Sequence, residues 1–204
     1  MRRKYEVTDI LACGESLLRQ QGYHNTGIDQ VLKANGIPKG SFYNFFKSKE
    51  DFGLRVLDFY GGQYFNFIQE HLSDTSRTPL QRLKDYYRLT IEGNQREQCK
   101  HGCLINNLSL EIAGMNDNFS QAINRHIHRW VAAIARCIQE GQDRGQITKN
   151  YSAHHLAEFM HSGFCGTLSR SKSARSIEAM ERFYSMSFDF ITEHSLTVTS
   201  RRAS

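Results

Sequence analysis

Apolar residues recur every three or four positions along most of this chain, and no segment alternates apolar and polar residues as a strand would. Phe52, Val56 and Phe59 share one face of a long helix that we predict from Lys49 to about His71. The pattern therefore predicts an all-α fold. Further helices are predicted over residues 79–97, 102–114, 117–144, 152–170 and 174–194.

Residues 26–52 contain two shorter apolar patterns joined by a very short turn. The first helix is predicted to start at Thr26, whose hydroxyl can cap free backbone N–H groups. It ends before Gly36, because glycine accepts the positive φ of a helix C-terminal cap. Pro38 can open the second helix, since its missing N–H would have no partner there.

The second of these helices has an apolar side and a small, polar side. Phe42 and Phe46 lie four positions apart and are predicted to face inward. This leaves an exposed start and flank that consists of Lys39, Gly40, Ser41, Tyr43 and Asn44. Such a helix-turn-helix suits insertion into the DNA major groove. The alternative is an ordinary helical corner, which is common in proteins that never bind DNA.

The exact residues of this segment indicate a function more specifically than its apolar pattern does. Residues 36–50, GIPKGSFYNFFKSKE, resemble the DNA-binding domain of TetR-family transcriptional regulators, and the resemblance extends over about residues 5–55. It implies phosphate contacts from Thr26 and Gly27, base or backbone contacts from Lys39, Gly40, Ser41 and Asn44, and phosphate clamps from Tyr43 and Lys49. Phe45 departs from the family pattern, which usually has Tyr or His there, so that phosphate contact lacks its donor.

The resemblance also implies the domain organisation. It predicts an N-terminal three-helix DNA-binding domain at 1–50, a larger C-terminal helical domain for effector sensing and dimerisation at 51–195, and a flexible tail at 196–204. The last two predicted helices carry more apolar surface than one face needs, and in TetR-like proteins this pair forms a four-helix bundle with a second subunit. Gly163 and Gly166 would allow close helix approach. A twofold homodimer would span a palindromic operator in double-stranded DNA, although these residues could instead complete a monomer core.

The net charge and the cysteine content bear on the binding partner and on the cellular compartment. The net charge is +5, and residues 1–49 hold eight Lys/Arg against four Asp/Glu, so most of the excess lies beside the predicted DNA-binding helices. Arg2, Arg3 and Lys4 form either an arm along DNA or a solvated terminus. Five scattered cysteines do not suggest a disulfide framework. With no secretory signal and no membrane span in the pattern, we expect a cytoplasmic protein.

One candidate for the sensor is a thiol. Residues 99–113, CKHGCLINNLSLEIA, resemble the NemR-like branch of TetR repressors, in which this wording carries a cysteine that reacts with electrophiles or oxidants; Cys103 occupies that place. A helix starting near Gly102 would put Cys103 in its first turn, where the helix dipole stabilises a thiolate. Cys99 is a candidate resolving partner, and Lys172 a remote source of positive charge. The alternative is that Cys103 is a small buried hydrophobe.

The other candidate is reversible binding of a small aromatic or apolar inducer. Its pocket would be lined by some of Tyr86, Tyr87, Ile91, Leu104, Leu108, Phe119, Ile123, Ile127, Trp130 and Phe164. Residues 99–103 also read C-x-H-x-C, but this spacing matches no standard zinc finger, and we predict no metal site and no cofactor. No glycine loop for phosphate, G-x-S-x-G or H-E-x-x-H motif is present, so we predict that the chain is not an enzyme.

Overall fold

The computed structural model describes residues 6–193, apart from the side chains at positions 39–41. These residues form eight α-helices, one 3₁₀-helix and no strand, which confirms the predicted all-α fold. The α-helices are α1 (Val7–Gln21), α2 (Ile28–Ala34), α3 (Lys49–Leu72), α4 (Pro79–Arg96), α5 (Leu104–Glu111), α6 (Asp117–Asp143), α7 (Ala153–Ala174) and α8 (Glu178–Thr192). Within this part of the chain, no helix is long and apolar enough to cross a membrane. The predicted arm at Arg2, Arg3 and Lys4 and the tail at 196–204 lie outside the described residues.

The second helix of the predicted helix-turn-helix is a short 3₁₀-helix, Lys39–Asn44, and not an α-helix opened by Pro38. Pro38 is extended, with ψ of 142°, so it precedes the helix. The turn then closes through the amides of Phe45 and Phe46, which both donate to the carbonyl of Phe42. Phe42 and Phe46 are buried as predicted, and their rings pack against Phe52. This aromatic contact fixes the helix on α3.

Helix α3 belongs to both domains. It begins at Lys49, as predicted, and Ser48 caps it, because the Ser48 hydroxyl accepts from the amide of Asp51 at 3.0 Å. From there it runs as one helix to Leu72, so the Gly61-Gly62 pair inside it does not end the helix. Gly61 instead allows close contact with α6, because the indole Nε1 of Trp130 donates to its carbonyl at 3.2 Å.

The remaining helices pack around one continuous core with α3 and α6 at its centre. Helix α7 packs on α6 and on α8. Gly163, which was expected to allow close approach of a second subunit, is occupied within the chain: a Cβ there would lie 2.5 Å from the Phe183 ring of α8. Gly166 has open space around its Cα hydrogen, so the structure places no neighbour against it.

The two adjacent glycines of α3 provide a matched pair of variants. We expect Gly61→Ala to lower the free energy of unfolding by roughly 1–3 kcal/mol, because the new methyl group would overlap the buried His126 ring. Gly62→Ala should be neutral or stabilising by up to about 1 kcal/mol, because that position is open and alanine favours a helix. Urea denaturation followed by circular dichroism measures both. Equal effects of the two variants would contradict the close α3–α6 contact.

Candidate functional site

The described part of the predicted DNA-binding surface is exposed at one end. Tyr43 is 67% exposed, and Asn44 and Gly27 are also exposed. Three of the predicted contacts are Lys39, Gly40 and Ser41. They lie on the 3₁₀-helix, at the positions whose side chains the structure does not describe. The surface that can be described is therefore the end of the 3₁₀-helix and the start of α2.

Thr26 does not have the role that its sequence position suggested. It is 2% exposed, and its hydroxyl donates to the carbonyl of Gly22 at 2.6 Å. The cap of α2 is Gly27, whose amide donates to the side-chain oxygen of Gln30 at 2.9 Å. The hydroxyl of Thr26 thus faces inward and is satisfied there. The signal that was missed is Gln30, which lies three residues after the cap and can reach back to it.

Lys49 is half-buried and already bonded within the domain. Its Nζ donates to the carbonyl of His24 at 3.2 Å and lies 4.7 Å from the centre of the Tyr23 ring. This ammonium group anchors the loop between α1 and α2 to the first turn of α3. A phosphate placed near this loop would meet a positive charge that is held in position.

The same loop is held from the other side by helix α5. The carboxylate of Glu111 accepts from the backbone amides of Tyr23, at 2.9 Å, and His24, at 2.7 Å. Hydrogen bonds to a charged acceptor are stronger than those between neutral groups. Helix α5 thus connects the C-terminal part of the chain directly to the loop that precedes α2.

Arg19 makes a second connection between the two halves. Its guanidinium group donates to the carboxylate of Glu97 at 2.6 and 3.1 Å and to the carbonyl of Gly102 at 2.9 and 3.2 Å. Arg19 lies in α1 of the DNA-binding half, whereas Glu97 and Gly102 lie in the loop between α4 and α5. We refer to these three residues as the Arg19 latch. One side chain thus fixes the loop that carries Cys103.

A cavity of about 280 Å³ lies beside this latch. Its aromatic walls come from α3, α4, α6 and α7, and they consist of Tyr60, Tyr64, Phe67, Tyr86, Tyr87, Trp130 and Phe164. Its polar lining includes Arg19, Glu97, Cys103, His161 and Cys165. The structure thus brings together the predicted Tyr86, Tyr87, Trp130, Phe164 and Cys103.

Several residues predicted for the pocket lie elsewhere. Phe119 is fully buried in the first turn of α6, with its ring 5.0 Å from that of Tyr23. It precedes Trp130 by eleven residues, which is about 16 Å along a helix, so the two cannot line one small cavity. Leu108 is buried in the core and is not in the cavity wall. The same holds for Ile91, Leu104 and Ile123, and Ile127 is only partly buried and is likewise not in the cavity wall.

The cavity wall includes residues that were not predicted for the pocket, among them two tyrosines, a cysteine and a histidine. Tyr60 and Tyr64 lie one turn apart on α3 and form a second aromatic face, separate from the phenylalanine face that the sequence predicted. Cys165 and His161 are likewise one turn apart, on α7, with 3.9 Å between Sγ and Nε2. Their spacing of four residues is a signal that the sequence does contain.

The tyrosines and His161 give the cavity polar groups without net charge. Burial raises the pKa of Tyr64, Tyr86 and Tyr87 well above the ordinary value, so all three stay protonated. The hydroxyls of Tyr64 and Tyr86 are hydrogen-bonded to each other at 3.0 Å, whereas that of Tyr87 is buried without a partner among the described residues. Burial also lowers the pKa of His161, which favours its neutral form.

The two cysteines of the predicted thiol switch have different environments. Cys103 is the N-cap of α5 and so precedes the first turn in which it was predicted, because the positive φ of Gly102 delays the helix start. It lines the cavity and is 9% exposed. Cys99 lies in the loop at a φ of 54°, is 4% exposed and does not line the cavity. Burial raises the pKa of its thiol. The two cysteines therefore do not share a helix.

A further cysteine and a further histidine are buried on α6. Cys137 is buried in α6, where burial raises the pKa of its thiol to about 12. His126 is buried, and its Nε2 lies 2.8 Å from Asp58. Across residues 6–193 no group of three or more His, Cys, Asp and Glu side chains is arranged to hold a metal ion.

Comparison with known proteins assigns both halves of the chain. Residues 10–56 match the family model for bacterial regulatory proteins of the tetR family, and residues 79–186 match that for the tetracyclin repressor-like C-terminal domain. The chain is 32% identical over 80% of its length to the transcriptional regulator AcuR of Cereibacter sphaeroides, and the match covers 74% of that protein. It is 32% identical to the HTH-type transcriptional repressor DhaR of Mycobacterium sp. strain GP1, covering 86% of this chain and 87% of that protein.

A solved structure extends the similarity to the whole fold. The crystal structure of the reduced form of E. coli NemR superposes with a TM-score of 0.80 at 26% sequence identity, over 92% of this chain and all of that chain. The resemblance inferred from residues 99–113 is therefore supported by a sequence match to E. coli NemR of 28% identity over 84% of this chain, and by the match in fold.

The inward-facing hydroxyl of Thr26 has a testable consequence. We expect Thr26→Val to lower the free energy of unfolding by about 1–2 kcal/mol, because the carbonyl of Gly22 loses its buried donor. Thr75→Val, in an exposed loop, is the matched control and should have no effect. Denaturant unfolding measures both variants. Unchanged stability of Thr26→Val together with weaker DNA binding would instead support the phosphate contact.

Proposed function

Because this chain belongs to the TetR family of bacterial regulatory proteins, we propose that it represses transcription as a cytoplasmic homodimer bound to a palindromic operator. The family and the relatives are transcriptional regulators and not enzymes, and so is this chain. An inducer that acts in the cavity releases the operator. The observation that carries this proposal is the Arg19 latch, because it joins the cavity wall to the DNA-binding domain.

Operator binding is supported by the chemistry of the exposed end of the domain. Tyr43 and Asn44 present a hydroxyl and an amide, and the ammonium groups of Lys33 and Lys47 are exposed nearby. Hydroxyl, amide and ammonium groups bind phosphate oxygens, and amides also read base edges in the major groove. Lys39, Gly40 and Ser41 belong to the same proposed contact surface, together with the main chain at Gly27.

Dimerisation is supported by an apolar surface on α7 and α8. Phe159 is 48% exposed, Met186 is 71% exposed and Phe190 is 37% exposed. Phe159 and Phe190 lie next to each other, with ring centres 5.6 Å apart. Exposed apolar side chains grouped in this way mark an interface. A second copy packed on this surface would form a four-helix bundle and present two DNA-binding domains to successive major grooves.

Two inducer mechanisms fit the cavity, and the thiol mechanism has the stronger support. In the first, an electrophile forms a bond to Sγ of Cys103, whose proton leaves to solvent, and the added group takes up space in the cavity. In the second, a small uncharged aromatic molecule occupies the same space reversibly. Both displace the segment of Gly102 and Cys103. The similarity to NemR over 84% of this chain and the place of Cys103 in the cavity wall favour the first.

Release of DNA follows from the connection of this segment to α1. Arg19 holds the carbonyl of Gly102, which is the residue directly before Cys103. A shift of that carbonyl must therefore break the latch or move α1 with it. Moving α1 changes the spacing of the two DNA-binding domains in a dimer, and the pair then no longer fits adjacent major grooves.

DNA docking is tested on duplex DNA from upstream of the protein's own gene. We expect Tyr43→Ala to weaken binding by about tenfold for every sequence and to reduce its salt dependence, because one phosphate contact is lost. Lys49→Ala should act in the same direction. Lys149→Ala, an exposed lysine after α6, is the matched control and should bind like wild type. Fluorescence anisotropy at several salt concentrations measures all three, and unchanged affinity of both Tyr43→Ala and Lys49→Ala would refute this docking.

Signal transmission is tested by weakening the latch without removing its charge. We expect Arg19→Lys to bind operator like wild type and to react with N-ethylmaleimide at Cys103 at the wild-type rate. Release of DNA per modified Cys103 should fall by at least about threefold, because lysine cannot reproduce the fork of hydrogen bonds to Glu97 and Gly102. Mass spectrometry measures the modification, and anisotropy measures the release.

Two controls separate the possible outcomes of the transmission test. Arg96→Lys, an exposed residue at the cavity, should behave like wild type throughout. Cys103→Ser should retain operator in the presence of the maleimide. Tight binding that the maleimide leaves unchanged in wild type as well would favour the reversible ligand. Normal release from Arg19→Lys would exclude the latch as the connection.

A further inference from the structure

A second thiol shares the cavity with Cys103. Cys165 lies near the middle of α7 and Cys103 at the start of α5, and both line the cavity of about 280 Å³. They are separated by sixty-one residues in the sequence, so no local motif relates them. The electrostatic influence of Cys103 reaches Cys165, since it helps to raise the pKa of the Cys165 thiol, for which burial is the larger cause.

Hydrogen bonds hold the start of α5 against α7 at the level of Cys165. The side-chain amide of Asn106, one turn after Cys103, donates to the main-chain carbonyl of Cys165 at 3.4 Å and to the Ser169 hydroxyl at 2.9 Å. Before the helix, the stem of Lys172 lies 3.9 Å from where a Cβ on Gly102 would be. Contacts on both sides of Cys103 therefore run along the same face of α7.

We propose that Cys165 is the resolving thiol of Cys103, and that a peroxide converts the pair into an intrachain disulfide between α7 and the start of α5. This inference deepens the proposed function, on which it rests, by naming the redox chemistry of the same site. Sγ of Cys103 attacks the peroxide, the O–O bond breaks and water leaves, which gives a sulfenic acid. Sγ of Cys165 then attacks the sulfur of Cys103, and a second water leaves as the disulfide forms.

The proton of Cys165 has an acceptor within the cavity wall. Nε2 of His161 lies 3.9 Å from Sγ of Cys165, and burial lowers the pKa of His161, so the ring is neutral and keeps one unprotonated nitrogen that can accept a hydrogen bond from the thiol while the proton passes to the departing water. The Cys165 thiol is protonated in the reduced protein, because burial, and to a lesser extent the neighbouring Cys103, raises its pKa.

Cys99 and Cys137 have no comparable access, and Cys13, in α1, is half-buried and does not line the cavity. Cys99 is 4% exposed and absent from the cavity wall, and its amide donates to the carbonyl of Asn94 at 2.8 Å. Cys137 is buried on α6, with its Sγ 3.4 Å from the carbonyl of Pro79. We therefore assign the role of resolving thiol to Cys165 and not to Cys99, the partner that the sequence suggested.

The test treats full-length protein with hydrogen peroxide in the absence of DNA, blocks remaining thiols with N-ethylmaleimide, and maps linked peptides by non-reducing mass spectrometry. We expect wild type to lose two hydrogens per chain and to yield a linked pair containing Cys103 and Cys165. Cys99→Ser, the matched control, should give the same pair. Cys165→Ser should lower the linked fraction by about tenfold or more and leave a Cys103 sulfenic acid that dimedone traps.

The outcomes separate this inference from the function on which it rests. Cys165→Ala, checked by circular dichroism, repeats the test in case the serine variant fails to fold. A linked pair of Cys103 and Cys99, a disulfide between two chains, or overoxidised Cys103 without any link would overturn the proposal. Formation of the predicted disulfide in a protein that binds no operator would support the thiol pair and refute the repressor assignment. Operator binding without this disulfide would support the repressor assignment and refute the thiol pair.

Discussion

One guanidinium group, that of Arg19, satisfies two acceptors that belong to the other half of the molecule. Glu97 and the carbonyl of Gly102 lie in a loop whose residues Gln98 and Cys99 adopt left-handed backbone angles, at φ of 55° and 54°. Such angles cost about 1–3 kcal/mol each outside glycine, so this loop keeps its shape only while outside contacts hold it. The loop beside the cavity is therefore joined to α1 by these four hydrogen bonds.

The cavity differs from a simple apolar core in how its polar groups are arranged. Protonated tyrosines and a neutral histidine offer hydrogen bonds without net charge, and the guanidinium donors of Arg19 are already used by the latch. An anion that enters would lose water, while the guanidinium of Arg19 is already bonded and Arg96, the other cation of the lining, is exposed to solvent. The arrangement favours uncharged molecules with a hydrogen-bonding group, and it lets the thiol of Cys103 meet them in a dry environment.

Local patterns in the sequence were sufficient for the long α-helices and for most of the faces they bury, but not for the 3₁₀-helix after Pro38 or for the cap of α2. Phe42 and Phe46 are buried as their spacing requires, and Ser48 caps α3. Features decided over long sequence distances were not accessible in the same way. Arg19 and Gly102 are 83 positions apart, and nothing in the neighbourhood of either one indicates the other. Phe119 was assigned to the cavity because periodicity gives the face of a helix but not the position along it.

The sequence contains a single tryptophan, and its surroundings connect the parts of the molecule described above. Trp130 lines the cavity, its ring lies 4.7 Å from that of Tyr64, and its Nε1 is bonded to the main chain of α3, the helix that continues from the DNA-binding domain. Indole emission depends on the polarity of its environment and on nearby quenchers. The protein therefore carries an intrinsic optical reporter at the junction of cavity and connecting helix, and any change there is visible without attaching a dye.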